Sequence, residues 1–500
     1  MMLLLDRARV YRFDTATKRF IRHRSVLIDD GTIVALDEEP IGIGIERRDL
    51  EGATVLPAFT DCHVHLAQTG YWLGPRSLTA VRSYAEFDAA IANLPREDGM
   101  VYAGQFDDAL WDDGSRADSG PLERHHGNAL GLVKRVDGHS CLVNRRTLDW
   151  LDLPRDIDGI ERDSAGAPTG RLSLNANWAA QSRFLASIPL GVQRGAERLA
   201  AEHARANGIL AVHVQLIGRS REEYRDDVEF LRSLTIRALP KICETDATIA
   251  RDLGLPFIGG DVFLDGSIGS CTAAISEPYL GNRGNGSLRF DDATVEAYVA
   301  GAEILGISAG VHAIGDAAID QFVRAVRTVL RDRPSPRGTH HFIEHFEMPR
   351  REHVDACLRM EIHCSMQPQF HATWGGEAGM YDDRLGTRRR KAMNPIRSIV
   401  RSGGLVAGGS DSPVCSLDAL AGMHAACTLQ EPEACLDPHE ALALYTVNAA
   451  VFSRTALAGN IAPGCTAELV VLDNDPLDDT AFNNCRVLDT VEEGSRRIAN

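Results

Sequence analysis

The sequence predicts an α/β protein, a (β/α)8 TIM-like barrel carrying a small composite β-sandwich formed by both termini. Three observations lead there. The middle of the chain alternates short apolar strand-like runs with helical stretches, the pattern of a parallel sheet with crossover helices, closed as a barrel or open and doubly wound. Both ends are rich in short strands bounded by turn residues. The length, 500 residues, exceeds the usual span of one core, so a large domain with at least one smaller module is expected.

Residues 1–56 read as strands at Ala8–Phe13, Ser25–Ile28, Thr32–Ala35 and Ala53–Leu56, separated by turn signals such as Asp29-Asp30-Gly31. Residues 457–500 supply a β-branched run, Ala467–Leu472, set off by Pro463-Gly464 and Asp473-Asn474-Asp475-Pro476, and a second candidate at Cys485–Thr490. The two ends can pair into one discontinuous module. The barrel is expected over 57–456. Its candidate strands are Thr60–His65, Leu132–Asp137, Ile209–Gln215, Ile236–Ile242, Phe257–Leu264, Ser308–His312, His341–Glu344, Glu361–Gln367 and Leu405–Gly409. That is one more than a barrel of eight uses. Asp437, Pro438 and Glu440 form an N-cap, N1 proline and capping box for a helix over Ala441–Ala450.

Composition narrows the function. A hydrophobic content of 44% with 25% charged residues is globular. With 70 acidic and 53 basic residues the net charge is −17, dispersed along the chain. That argues against a nucleic-acid or anionic-membrane partner and for solubility; a small-molecule substrate is the expected partner, and a homo-oligomer is compatible with this. The apolar start, Met1–Leu5, is too short for a secretory signal, and no run approaches a membrane span, so a cytoplasmic location is expected. Eleven cysteines without a C-x-x-C pair fit reduced thiols.

The chemistry gathers at strand ends. In Asp61-Cys62-His63-Val64-His65, positions two apart on a strand face the same side, so both imidazoles point together and Cys62 turns away into packing. Alone, this spacing is more often structural than functional. Three later strands also end in a ligand-type residue: His312, His345 after Glu344, and Asp411. Together these residues can surround one or two divalent ions, zinc first and manganese or iron as alternatives, and leave a position open for water. A metal-bound water is acidified to a pKa of roughly 7, and Asp411 is placed to take its proton and deliver it to a leaving nitrogen.

The stretches Leu56–His65, Asp137-Gly138-His139-Ser140, Leu264–Ser270, Val311–Asp316, Ile343-Glu344-His345 and Gly409–Val414 resemble the amidohydrolase superfamily, and within it the amidohydrolase 3 (YtcJ-like) group of metal-dependent hydrolases. The tail Gly459–Gly464 with Ala467–Leu472 resembles the strand that returns to that superfamily's composite β-sandwich. The resemblance implies a first metal on His63 and His65, a second on His312 and His345, and Asp411 as both ligand and proton shuttle. One position departs from it. Where many relatives carry a carbamylated lysine that bridges two metals, this chain has Asp261. An aspartate can bridge directly or leave a single metal, and Lys241 is the other candidate bridge.

Further expectations are secondary. Asp137, His139 and Trp111 are candidate substrate contacts, each with packing or hydrogen bonding as the alternative. Asp265 and Glu344 are expected to orient loops or ligands. The segment His371–Lys391 reads as a lid whose basic cluster, Arg388 to Lys391, is more readily a solvated surface than a substrate contact. The expected reaction is hydrolysis of a carbon–nitrogen bond in a non-peptide amide, N-acyl or N-formyl compound. A deaminase or cyclic amidohydrolase on the same scaffold, or a non-catalytic metal-binding barrel, are the alternatives.

Overall fold

Nine apolar runs are one too many for eight strands, and the surplus run is the one at Leu132. A computed structural model describes residues 2–38, 44–136, 138, 140–154, 156–455, 457–478 and 481–492. The chain forms two compact units, residues 66–200 and the remainder on either side. The run at Leu132 becomes Leu130–Arg135 and belongs to the first of these. The compact-unit boundaries at 65/66 and 200/201 thus fall inside the stretch expected as barrel.

The remaining eight runs form β1 (Phe59–Val64), β2 (Ile209–Leu216), β3 (Arg237–Ile242), β4 (Phe257–Phe263), β5 (Ser308–Ala313), β6 (Phe342–His345), β7 (His363–Met366) and β8 (Val406–Gly408). All their pairings are parallel: β1–β2–β3 in one ladder and β4 through β8 in another. From β2 onward, helices alternate with the strands, and β1, β2 and β5 to β8 are buried along their whole length. Such continuous apolar runs mark a parallel sheet covered on both faces. β8 returns to β1 through the bridge Val64–Ser412 and through Asp411 N–H donating to His63 O (2.8 Å) and His65 N–H to Ser412 O (2.9 Å). Among the described residues no ladder joins β3 to β4, so the arrangement is of TIM-barrel type with hydrogen-bonded pairing interrupted at one seam.

The interruption lies at Gly259-Gly260. Both have positive φ (86° and 116°), and the β4–β5 register shifts between Gly259 and Phe263. Tyr298 braces the disturbed β4–β5 register: its hydroxyl donates to Ile258 O or Gly310 O (both 2.9 Å) and accepts from Gly310 N–H (3.2 Å).

The two termini do pair. Thr54–Pro57 runs antiparallel to Glu468–Leu472 in a five-stranded sheet with Arg9–Asp14, Arg19–His23 and Val487–Glu492. A four-stranded sheet of Met2–Asp6, Val26–Asp29, Thr32–Leu36 and Ile45–Asp49 shares an apolar core with it through Leu3, Val26, Ile33, Val55, Leu469 and Val471. The capping box at Asp437 forms as expected, but the helix breaks at Thr446 (φ −127°, ψ −96°) into Pro438–Tyr445 and Val447–Phe452.

The 66–200 unit holds a mixed five-stranded sheet, in the order Ile160–Arg162, Pro168–Ser173, Ser140–Val143, Leu130–Arg135, Met100–Phe106. Trp111, a candidate substrate contact, is corrected here. It is 5% exposed and packs in this unit's core against Phe87 and Phe106, where burying an indole gains most. Asp137 and His139 lie outside the described residues. No described helix is long and apolar enough to cross a membrane.

A methyl group on Gly259 would fall 2.0 Å from Gly310 O and 2.1 Å from the Tyr298 hydroxyl, on a backbone that L-residues rarely adopt. Gly259→Ala is expected to destabilise the 1–65/201–500 unit by roughly 2–4 kcal/mol. Urea unfolding checks this, and an unchanged midpoint would show that β4 relaxes freely.

Candidate metal centre

Five strands deliver side chains to one point. His63 (β1) and His65 just beyond it, Asp261 (β4), His312 (β5), His345 (β6) and Asp411 after β8 converge at the C-terminal ends of the parallel strands. Asp261 is the hub. Its Oδ2 lies 3.4 Å from His63 Nε2 and 3.2 Å from His65 Nε2, and its Oδ1 lies 3.7 Å from both His312 Nδ1 and His345 Nε2. Asp411 Oδ1 lies 3.4 Å from His63 Nε2 and 3.1 Å from His65 Nε2.

These groups fit a divalent cation. His63 Nε2, His312 Nδ1, Asp261 Oδ1 and Asp411 Oδ1 are buried and have no hydrogen-bond partner, which is costly for polar atoms unless something else satisfies them. Ligands about 2.1 Å from a tetrahedral ion stand about 3.4 Å from one another, close to the separations around His63, His65 and Asp411. Two triads, His63/His65/Asp411 and His63/Asp261/His345, bring donor atoms close enough to share an ion.

The outer nitrogens are held as metal-ligating histidines require. His63 Nδ1 lies 2.8 Å from Glu344 Oε2 and 3.2 Å from Gln215 Nε2, His345 Nδ1 lies 2.9 Å from Gln367 Oε1, and His312 Nε2 lies 3.2 Å from Gly266 O. Glu344 thus orients a ligand, while Asp265 orients loops, accepting from the amides of Ala274, Ile314 and Gly315. Asp61, buried under His63, accepts from His63 N–H and Ser410 N–H, and burial pushes its carboxyl up to about 6. Sequence reasoning passed over Gln215 and Gln367, although each closes a candidate strand and so had the same positional signal as the histidines.

Lys241 is not part of the cluster. Its ammonium donates to Glu344 Oε1 (2.6 Å) and Cys62 O (3.3 Å). Cys62 packs with Phe257, Phe342 and Ala407, as strand alternation requires. The basic run in the expected lid divides: Arg388 and Lys391 are exposed, as a solvated surface requires, and the other two are corrected. Arg389 and Arg390 are buried, and Arg390 Nη1 donates to Glu431 Oε1 (2.9 Å) and Gly375 O (2.6 Å), because a buried guanidinium needs acceptors that solvent would otherwise supply. Immediately before that segment, Phe370 stacks on His345, with ring centroids 6.0 Å apart and planes 9° apart.

The electrostatics are those of a site short of positive charge. Burial opposes ionisation of Asp411, yet His63 and His65 hold its carboxyl far below the usual range, and His63, His312 and His345 do the same for Asp261. Burial likewise disfavours charge on the imidazoles, but Asp261 and Asp411 push His65 up to about 9, and with Glu344 they hold His63 well above its ordinary value. His345 and Asp411 both take left-handed backbone (φ 72° and 55°), a strain of about 1–3 kcal/mol each of the kind that clusters at functional sites.

Buried imidazoles and carboxylates facing one another at the ends of parallel strands, beneath helices that cover the sheet, define a metal-dependent hydrolase of TIM-barrel type. The chain belongs to the amidohydrolase family, whose sequence model matches residues 46–494. It is 27% identical to "Putative amidohydrolase YtcJ" of Bacillus subtilis, over 91% of this chain and 92% of that one. It is 25% identical to an N-substituted formamide deformylase of Arthrobacter pascens, over 91% of each. The fold matches that of an uncharacterized metal-dependent hydrolase from Pyrococcus furiosus, with a TM-score of 0.79 and 22% identity over 96% of this chain and 100% of that one.

Protons and cations compete for this site. The carboxylates around His63 and His65 favour their protonated forms, so loading is expected to release protons, and affinity for a divalent ion to rise with pH through the range in which these imidazoles give them up. Titration calorimetry of zinc binding at pH 7, in buffers of different ionisation heat, is expected to show net proton release. An absence of release would mean that the imidazoles are neutral in the free protein.

Proposed function

We propose that this protein hydrolyses a carbon–nitrogen bond of a small molecule, a non-peptide amide of the N-acyl or N-formyl kind. The observation that carries the reading is Asp411. Its Oδ1 is buried without a hydrogen-bond partner and stands 3.1 Å from His65 Nε2, on the side of the cluster where His65 keeps 15% of its side-chain surface open. A base at that place can take a proton from a water attacking the acyl carbon and return it to the nitrogen as the C–N bond breaks. A divalent cation bound there supplies Lewis acidity and an acidified water. The similarity to a formamide deformylase supports the bond type.

The pairing of Asp261 Oδ2 with His63 and His65, and of Oδ1 with His312 and His345, favours two ions shared by one carboxylate, zinc being the first expectation. We also infer that the two parallel sheets close at the Gly259-Gly260 seam into a (β/α)8 barrel. The eleven free thiols support a reducing, cytoplasmic setting.

Asp411→Asn is the test. Metal content is expected to stay within about twofold of wild type while hydrolysis of N-substituted formamides and N-acyl amines falls by roughly 10²–10⁴. Undiminished turnover would remove Asp411 from the chemistry. A wild-type protein that loads metal yet releases ammonia only from ring amines, or opens only cyclic amides, would replace this reading with the deaminase or cyclic amidohydrolase alternative.

A further inference from the structure

Beneath the metal centre lies a charge that the chemistry above does not use. Lys241 on β3 is wholly buried. Its ammonium sits 4.4 Å from the centre of the Phe342 ring and 4.6 Å from that of Phe452. Glu344, the acidic partner of its ion pair, is wholly buried as well. A pair of this kind seldom adds net stability, since well-packed apolar side chains of similar volume do as well or better. Its position therefore asks for another reason.

Glu344 has two carboxylate oxygens and divides them. Oε1 takes the Lys241 ammonium at 2.6 Å, and Oε2 takes His63 Nδ1 at 2.8 Å. The partner at Oε2 fixes which His63 nitrogen carries hydrogen and aims the other, Nε2, at Asp261 and Asp411. His63 is the residue common to both donor triads. Lys241 also donates to Cys62 O, immediately before His63 in the chain. The ammonium thus grips the ligand from two sides, through its carboxylate partner and through the backbone that carries it. Gly260 leaves room for this: a methyl group there would lie 3.2 Å from Lys241 Cδ and 2.2 Å from Gln215 Oε1.

We propose that Lys241 is a positioning residue for the metal centre, acting through Glu344 to set the tautomer and aim of His63. This rests on the metal site and not on which bond is hydrolysed, so the readout is metal affinity. Zinc dissociation constants are measured on the full chain by competition with a chromophoric chelator for wild type, Lys241→Met, Glu344→Gln and the double variant. Lys241→Met and Glu344→Gln are each expected to weaken binding about 10- to 100-fold, the usual effect of removing an outer partner of a ligand. The double variant should lie within about threefold of Glu344→Gln, because both changes act along one path.

Lys241→Met can fail to fold, since it strands the Glu344 charge. The double variant leaves neither charge unpaired, so its comparison with Glu344→Gln decides the matter alone. A further tenfold loss in the double variant, or wild-type zinc affinity in a folded Lys241→Met, would overturn the proposal and leave the ion pair as packing. Cobalt(II) gives a second readout: the ligand-field bands of the double variant should match those of Glu344→Gln, and a distinct spectrum would count against a shared path. The hydrolase reading would survive either adverse result.

Discussion

Two carboxylates, Asp261 and Asp411, are enclosed by four imidazoles at the ends of parallel strands, and their unmet demand for positive charge organises everything near them. Taking such charges out of water costs several kcal/mol each unless a cation or a full set of donors replaces the lost hydration. The two carboxylates therefore favour the protonated forms of His63 and His65. A divalent ion meets the same demand more completely, and the orphaned atoms of His63, His312, Asp261 and Asp411 are the unpaired ends it would join.

The surrounding backbone gives up regularity to hold this arrangement. Gly259-Gly260 shifts the β4–β5 register where Asp261 must reach inward with a side chain much shorter than lysine, and Tyr298 braces those two strands there. Gly409 lets the chain after β8 close on β1, where a methyl group would stand 2.9 Å from His63 N. Beneath, Asp61 ties His63 to Ser410, and Glu344 ties His63 to Lys241. The ligands are therefore held from the far side by groups that solvent cannot loosen.

Much of this was legible in the residues. Five donors stood at the ends of apolar strands because period-two alternation and burial on both faces leave a plain signature, and Asp261 was visible as the odd residue where relatives carry lysine. Gln215 and Gln367 had the same positional signal and were passed over, since an amide at a strand end is chemically unremarkable until a histidine is seen beside it. The 66–200 unit was absorbed into the barrel because its own strands and helices alternate in the same rhythm. Nothing in Leu130–Arg135 announces that it pairs with Ser140–Val143 instead of with a barrel neighbour.

By itself, then, the sequence determined which histidines and which aspartate stand at the strand ends and which ends of the chain share a sheet, because both follow from local period and residue type. Only the tertiary structure decided that Lys241 serves Glu344 and not the ion, that Trp111 packs a core, that Arg390 is buried on Glu431, and that the helix after Asp437 breaks at Thr446. Each of these depends on what comes to lie opposite a residue from a distant part of the chain. Pairing across that distance is set by packing and charge in three dimensions, which no local pattern encodes.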